Sequence, residues 1–212
     1  QITAAHRPQP AFRGHLAPSS KTRRVESMTY DYVFEPVVFD GRLYYGSSVE
    51  EAIYCHDLNS GNTVWSFHAE GPIRFAPRVT GSQLFFGSDD GHVYCLDAKR
   101  GSLIWKLRVA PGRHRCIGNG RVISSWPVRT TITPSDGVLY CGAGLFPTMG
   151  TYLCAVDAAS GKLLWRREVP YSPHGDILIE DDTIFVATGR TAPAEFHKSD
   201  GQPLLADPSP RR

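Results

Sequence analysis

The sequence predicts an all-β protein made of stacked, four-stranded antiparallel units. Three observations carry the prediction. Residues 92–107 alternate with a period of two on either side of a tight loop: Tyr94 and Leu96 against Val93 and Cys95, then Leu103, Trp105 and Leu107 against Ile104 and Lys106. That is the pattern of two strands with distinct faces. The loop between them runs from Asp97, whose carboxylate can accept from backbone N–H groups two or three residues on, to Gly101, which can take the positive φ that closes a hairpin. The same hairpin recurs at residues 53–65 and 152–165, so that Asp57, Gly61 and Trp65, then Asp97, Gly101 and Trp105, then Asp157, Gly161 and Trp165 share one spacing. A weaker copy at 194–205 has His197 in the Asp place and Leu205 in the Trp place. Gly61, Gly101, Gly161 and Gly201 follow one another at intervals of 40, 60 and 40 residues. A period near 40 marks units that cannot bury their apolar faces alone.

On these residues the chain resembles the pyrroloquinoline-quinone-type repeat of β-propellers, whose units carry an Ala-x-Asp-x-x-x-Gly-x-x-x-Trp docking motif. In repeat type it is similar to the outer-membrane assembly lipoprotein propeller. The resemblance covers roughly residues 31 to 205. It implies a β-propeller of about four blades, incomplete and part of a larger ring, in which the Asp, Gly and Trp of each motif have a structural docking role. The family contains both quinone-dependent dehydrogenases and propellers without a cofactor, and it leans toward the bacterial periplasm or outer surface.

Taken in order, residues 1–24 hold Pro8, Pro10 and Pro18 with no steady period and read as an extended arm. The propeller portion is expected over 25–205, with repeats at about 31–71, 72–110, 126–170 and 171–205. The first unit should hold an inner strand at 34–39, an Asp40-Gly41 turn and a second strand at 42–47. The second repeats this at 74–79, at the Thr80-Gly81 turn and at 84–88. Proline in the innermost strand (Pro36, Pro77) is tolerable where one side of that strand lacks a ladder partner. Residues 111–125 are an inserted loop, with a short strand possible from Arg121; insertions into repeats usually sit on one rim and often carry function. The third unit continues through 130–132 and 138–142, and the fourth through 175–179 and 184–187. Residues 206–212 read as a disordered tail. The chain begins with Gln1 and shows no signal peptide, which suggests processing or a piece of a longer gene.

Composition narrows the classes of function. Among 212 residues, 23 basic and 21 acidic side chains leave a net charge of +2, so no nucleic-acid partner is expected, and no apolar run is long enough for a membrane span. Cys55 and Cys95 occupy equivalent repeat positions and are expected as small buried residues too far apart to bridge. His56 and His92 are expected at turns or the surface. His114 with Cys116 is a weak metal-ligand candidate.

No catalytic constellation emerges: there is no nucleophile elbow or dinucleotide fingerprint. Of the features that mark quinone dehydrogenases of the resembled family, neither a vicinal cysteine pair nor a haem-attachment motif is present. The acidic residues Glu35, Asp136 and Asp176 cannot be placed together as calcium ligands from spacing alone. The tryptophans Trp65, Trp105 and Trp165 are read as packing residues whose indole N–H finds an acceptor. In a propeller, inner strands line a channel and their loops form its mouth, which makes Glu35, Arg74, Arg129, His174 and Asp176 candidate channel or mouth residues, with Trp126 in the insertion. The reading is a non-catalytic binding or protein-interaction scaffold with no cofactor, whose partner is a protein or the remaining blades of the parent chain. Its alternatives are a fragment of a pyrroloquinoline-quinone-dependent dehydrogenase, with quinone and calcium as cofactors, and a carbohydrate or small-ligand binding propeller that uses Trp126 and neighbouring arginines.

Overall fold

The computed structural model describes residues 35–118, 121–188 and 192–204. The expected arm at 1–24 and tail at 206–212, with the Trp-equivalent Leu205, lie outside these residues. Three four-stranded antiparallel sheets follow one another along the chain, each a meander with strands in sequence order. The first is β1 (Val37–Phe39), β2 (Arg42–Ser47), β3 (Ala52–Asp57) and β4 (Thr63–His68); the second is β5 (Arg78–Thr80), β6 (Gln83–Gly87), β7 (His92–Asp97) and β8 (Leu103–Arg108). A two-stranded hairpin follows, β9 (Arg115–Gly118) with β10 (Arg121–Ser124), and then the third sheet: β11 (Thr133–Ser135), β12 (Val138–Ala143), β13 (Thr151–Asp157) and β14 (Leu163–Val169). The fourth holds β15 (Ile177–Glu180), β16 (Thr183–Val186) and β17 (Ala194–His197), with an isolated bridge from Phe196 to Pro203 where a fourth strand would run. The sheets are blades of a propeller-type fold and do not close into a ring.

Two expectations need correction. The innermost strands are shorter and start later than the apolar pattern suggested: β1, β5 and β11 have three residues each and β15 four. Residues 74–77 and 130–132 instead belong to connectors between blades, where Pro77 cannot donate to a ladder. The inserted segment is not a plain loop either: the short strand expected from Arg121 is present as β10, and it pairs with an unexpected β9, Ile117 with Val122 and Cys116 with Ile123.

The recurring loop explains how blades join. Asp57, Asp97 and Asp157 each accept, through Oδ1, a backbone N–H three residues on, at 2.7–2.8 Å. The glycine that ends each loop has φ of +73°, +70° and +69°, a conformation that penalises any side chain. In the fourth copy the loop keeps its backbone bonds, Gly201 to the His197 carbonyl at 2.9 Å and His197 to Gln202 at 2.8 Å, without the aspartate.

That glycine is also a seat. A Cβ on Gly101 would lie 2.5 Å from the Trp65 ring, one on Gly161 2.6 Å from Trp105, and one on Gly201 2.6 Å from Trp165. Each indole therefore rests on the loop of the next blade. Trp65 Nε1 donates to the Ala98 carbonyl at 3.2 Å, and Trp105 Nε1 to the Ala158 carbonyl at 3.0 Å. Tyr44 adds a second donor to Ala98 at 3.1 Å. Between blades lie three apolar clusters, in which Leu84, Phe86 and Ile53, then Phe85, Leu139 and Val156, then Leu153, Ile184 and Phe196 are buried.

Replacing Trp105 by Ala removes a ring from a blade junction and should lower stability by about 3–5 kcal/mol, measurable as a reduced midpoint in urea with the m-value retained.

Candidate functional site

Connectivity decides which end of the blades carries the candidate residues. In a four-stranded meander the β1–β2 and β3–β4 turns share one end; the β2–β3 turn and the connector to the next blade share the other. Arg74, Asp89, Arg129, His174, Trp126 and the β9–β10 hairpin all fall on connectors or second turns, hence on one face.

Its centre is Asp89, in the β6–β7 turn, whose side chain is fully buried. Arg74 Nε donates to its Oδ2 at 2.7 Å, and Arg129 donates from Nε to Oδ1 at 2.9 Å and from Nη2 to Oδ2 at 2.8 Å. The Asp89 backbone is committed as well: its N–H donates to Pro72 at 2.8 Å, and its carbonyl accepts from Ser124 at 2.8 Å. One residue thus ties together the connector into the second blade, the end of the hairpin and the entry to the third blade. Asp89 was not among the candidate residues read from the sequence; the doubled aspartate of the β6–β7 turn was the available signal.

His174, at the entry to the fourth blade, meets Phe75 edge-on at 5.7 Å between centroids. Its ring keeps a solvent-exposed side, yet partial desolvation, then the positive charges of Arg129 and Arg74, push its pKa below the ordinary value, against the opposing pull of Asp89. Three of the predicted residues, Arg74, Arg129 and His174, are therefore brought together. Asp176 and Glu35 are exposed and do not join them. Asp136 lies on the opposite end, paired with Lys198 at 2.7 Å.

Further out on the same face, Trp126 is 9% exposed and donates Nε1 to the Met149 carbonyl at 2.8 Å, while His114 stacks on it at 5.9 Å. This ring is packed and offers little face for sugar stacking. The hairpin leans toward the first blade, where Arg121 bonds Glu51 at 2.7 Å and also the Val49 carbonyl. Its cross-strand pair Ile117 and Val122 is 84% and 60% exposed. His56 and His92, expected at turns or the surface, are buried in strands instead. His56 stacks on Tyr45 at 5.5 Å, and His92 sits 3.3 Å from Asp90. Among the described residues no group of three His, Cys, Asp or Glu converges to hold a metal ion. No helix there is long and apolar enough to cross a membrane.

The profile of the family described as outer membrane protein assembly factor BamB matches residues 20–125 and 119–204. The chain belongs to this repeat family. Its relatives fall on both sides of the enzyme divide. It is 24% identical over 181 residues to quinoprotein alcohol dehydrogenase PedH of Pseudomonas putida, covering 79% of this chain and 29% of that protein. It is 27% identical over 139 residues to the outer membrane protein assembly factor BamB of Yersinia pestis, covering 63% of this chain and 33% of the relative. The crystal structure of BamB from Moraxella catarrhalis superposes with a TM-score of 0.62 at 19% identity, over 80% of this chain and 46% of that one. The chain spans about a third or less of the length of these curated relatives.

Chemically, the Asp89 cluster is a bolt with surplus positive charge: two guanidinium groups share one carboxylate. Both carboxylate oxygens are engaged, so the group is poorly placed to take a proton from a substrate. Calcium needs several oxygen ligands converging on one point; among the described residues no three His, Cys, Asp or Glu side chains do so.

Two measurements check this account. Arg129→Gln leaves a buried carboxylate half-paired and should cost about 3–5 kcal/mol in chemical denaturation. In the same variant the His174 titration, followed by NMR, should move upward, because one repelling cation has gone while Asp89 remains.

Proposed function

We propose that this chain is a non-catalytic quinoprotein-like β-propeller domain that acts as a protein-interaction scaffold through its connector face. The observation that carries the reading is the inserted hairpin, which holds Ile117 and Val122 out in solvent next to the exposed Arg113 and Arg115. Exposed apolar pairs framed by basic groups suit a protein partner with an apolar strip and acidic surroundings. The Asp89 carboxylate, engaged by two arginines, supports a bracing role over that of a catalytic base. The remaining blades of a parent chain are a second partner, one that would complete the ring. An extracytoplasmic location accords with the outer-membrane assembly factor among the relatives.

The competing reading, a fragment of a quinone-dependent dehydrogenase, draws on the PedH similarity. Titrating the full-length protein with pyrroloquinoline quinone and calcium separates the two. The scaffold reading expects no saturable spectral change and no alcohol-dependent dye reduction; saturable binding with dye reduction would overturn it. A photo-crosslinker at position 117 should yield a discrete protein adduct in cells, while one at Leu58, exposed on the opposite end, should not. No adduct at position 117 would count against the proposed face.

A further inference from the structure

One cross-strand slot changes character along the repeats. Where the second and third strands of a blade face each other near the connector end, the first blade holds Tyr45 opposite Tyr54, stacked at 5.4 Å and 22°. The second holds Phe86 opposite Tyr94, stacked at 4.8 Å and 4°. The fourth holds Val186 opposite Ala194. In the third blade the same slot is Cys141 opposite Cys154.

These two are the only register partners among the cysteines of the described strands. Cys55 faces Tyr44 and Trp65, Cys95 faces Phe85 and Trp105, and Cys116 faces Ile123. Directly opposed residues of an antiparallel ladder lie about 4.5–5.5 Å apart, Cα to Cα, inside the roughly 4.4–6.8 Å that a disulfide spans. Their side chains leave the same face of the sheet, and both are fully buried against Phe85, Val93 and Cys95 of the second blade. All five cysteines are unbridged in the structure. We propose that Cys141 and Cys154 form a cross-strand disulfide under oxidising conditions, a covalent clasp in the slot that two earlier blades fill with stacked rings.

The chemistry needs an external disulfide as oxidant. With glutathione disulfide, one cysteine thiolate attacks a glutathione sulfur and releases one glutathione; the second thiolate then attacks the protein sulfur of the mixed disulfide and releases the other. Two protein thiols lose two electrons and two protons, and two glutathione thiols form. In the folded chain the reaction is blocked twice over: by burial, and because the Cys154 thiol, bonded to Cys141, together with desolvation holds the Cys141 thiol well above its usual pKa. The bond therefore forms during folding, before the blades close over it, and afterwards resists reductant.

The test refolds the full chain with a reduced and oxidised glutathione mixture, alkylates free thiols in guanidinium and weighs the product. The proposal expects three alkylated cysteines of the five. Chymotrypsin, which cuts after Tyr140, Tyr152 and Trp165, should release peptides joined through Cys141 and Cys154 only. Dithiothreitol should break the bridge in guanidinium but not in buffer. Cys95→Ala should leave the same bridge intact, which removes the neighbouring thiol as its source. Five alkylated cysteines in a folded product, or a bridge through Cys55, Cys95 or Cys116, would overturn the proposal.

Discussion

The structure depends on an indole ring lying flat on a glycine of the next blade. A blade alone is a sheet with two apolar faces and no core, so its stability comes from the junctions. At each junction the ring buries apolar area, and at the Trp65 and Trp105 junctions its N–H is seen to satisfy a loop carbonyl. The glycine is held at positive φ by the same loop that offers that carbonyl. Sequence spacing, loop geometry and blade packing are thus one constraint seen at three scales. An Ala in the glycine seat would meet both backbone strain and the ring.

The Asp89 cluster is a second, different junction. Where the tryptophans join blades at the turn end, Asp89 joins connectors at the opposite end, through two side-chain ion pairs and two backbone bonds. A buried carboxylate between guanidinium groups gives little net stability over apolar packing, but it is costly to break. Its consequence is to fix the geometry of the face on which the hairpin stands. That face carries the exposed apolar pair on which the proposed interaction role rests.

Much of the architecture could be read from residue order because the hairpin motif is local. Asp97 to Gly101 needs no distant residue to define its turn, and its copies are the same length. The inner strands were less legible for a physical reason: Val37–Phe39 and Thr133–Ser135 are held by one ladder each, and tertiary context decides where they begin. Of the inserted hairpin only the strand from Arg121 was legible, because Arg115–Gly118 has neither a strong alternation nor β-branched enrichment. For the site, the expected place of inner strands and their loops in a propeller pointed to Arg74, Arg129 and His174. The doubled aspartate did not tell which of the two meets the arginines: Asp89 does, while its neighbour Asp90 bonds Tyr94. Glu35 and Asp176 carry the same sequence signal as the arginines and end in solvent, where a charge costs little.

The central claim, that the ring of one blade and the glycine of the next are a single packed unit, can be measured by a double-mutant cycle. Trp105→Leu and Gly161→Ala are made singly and together, and unfolding free energies are compared. If the ring rests on that glycine, trimming it relieves the clash that Ala creates, and the two costs fall short of adding by about 1 kcal/mol or more. Strictly additive costs would mean that Trp105 and Gly161 do not touch, and the account of how the blades are joined would fail with them.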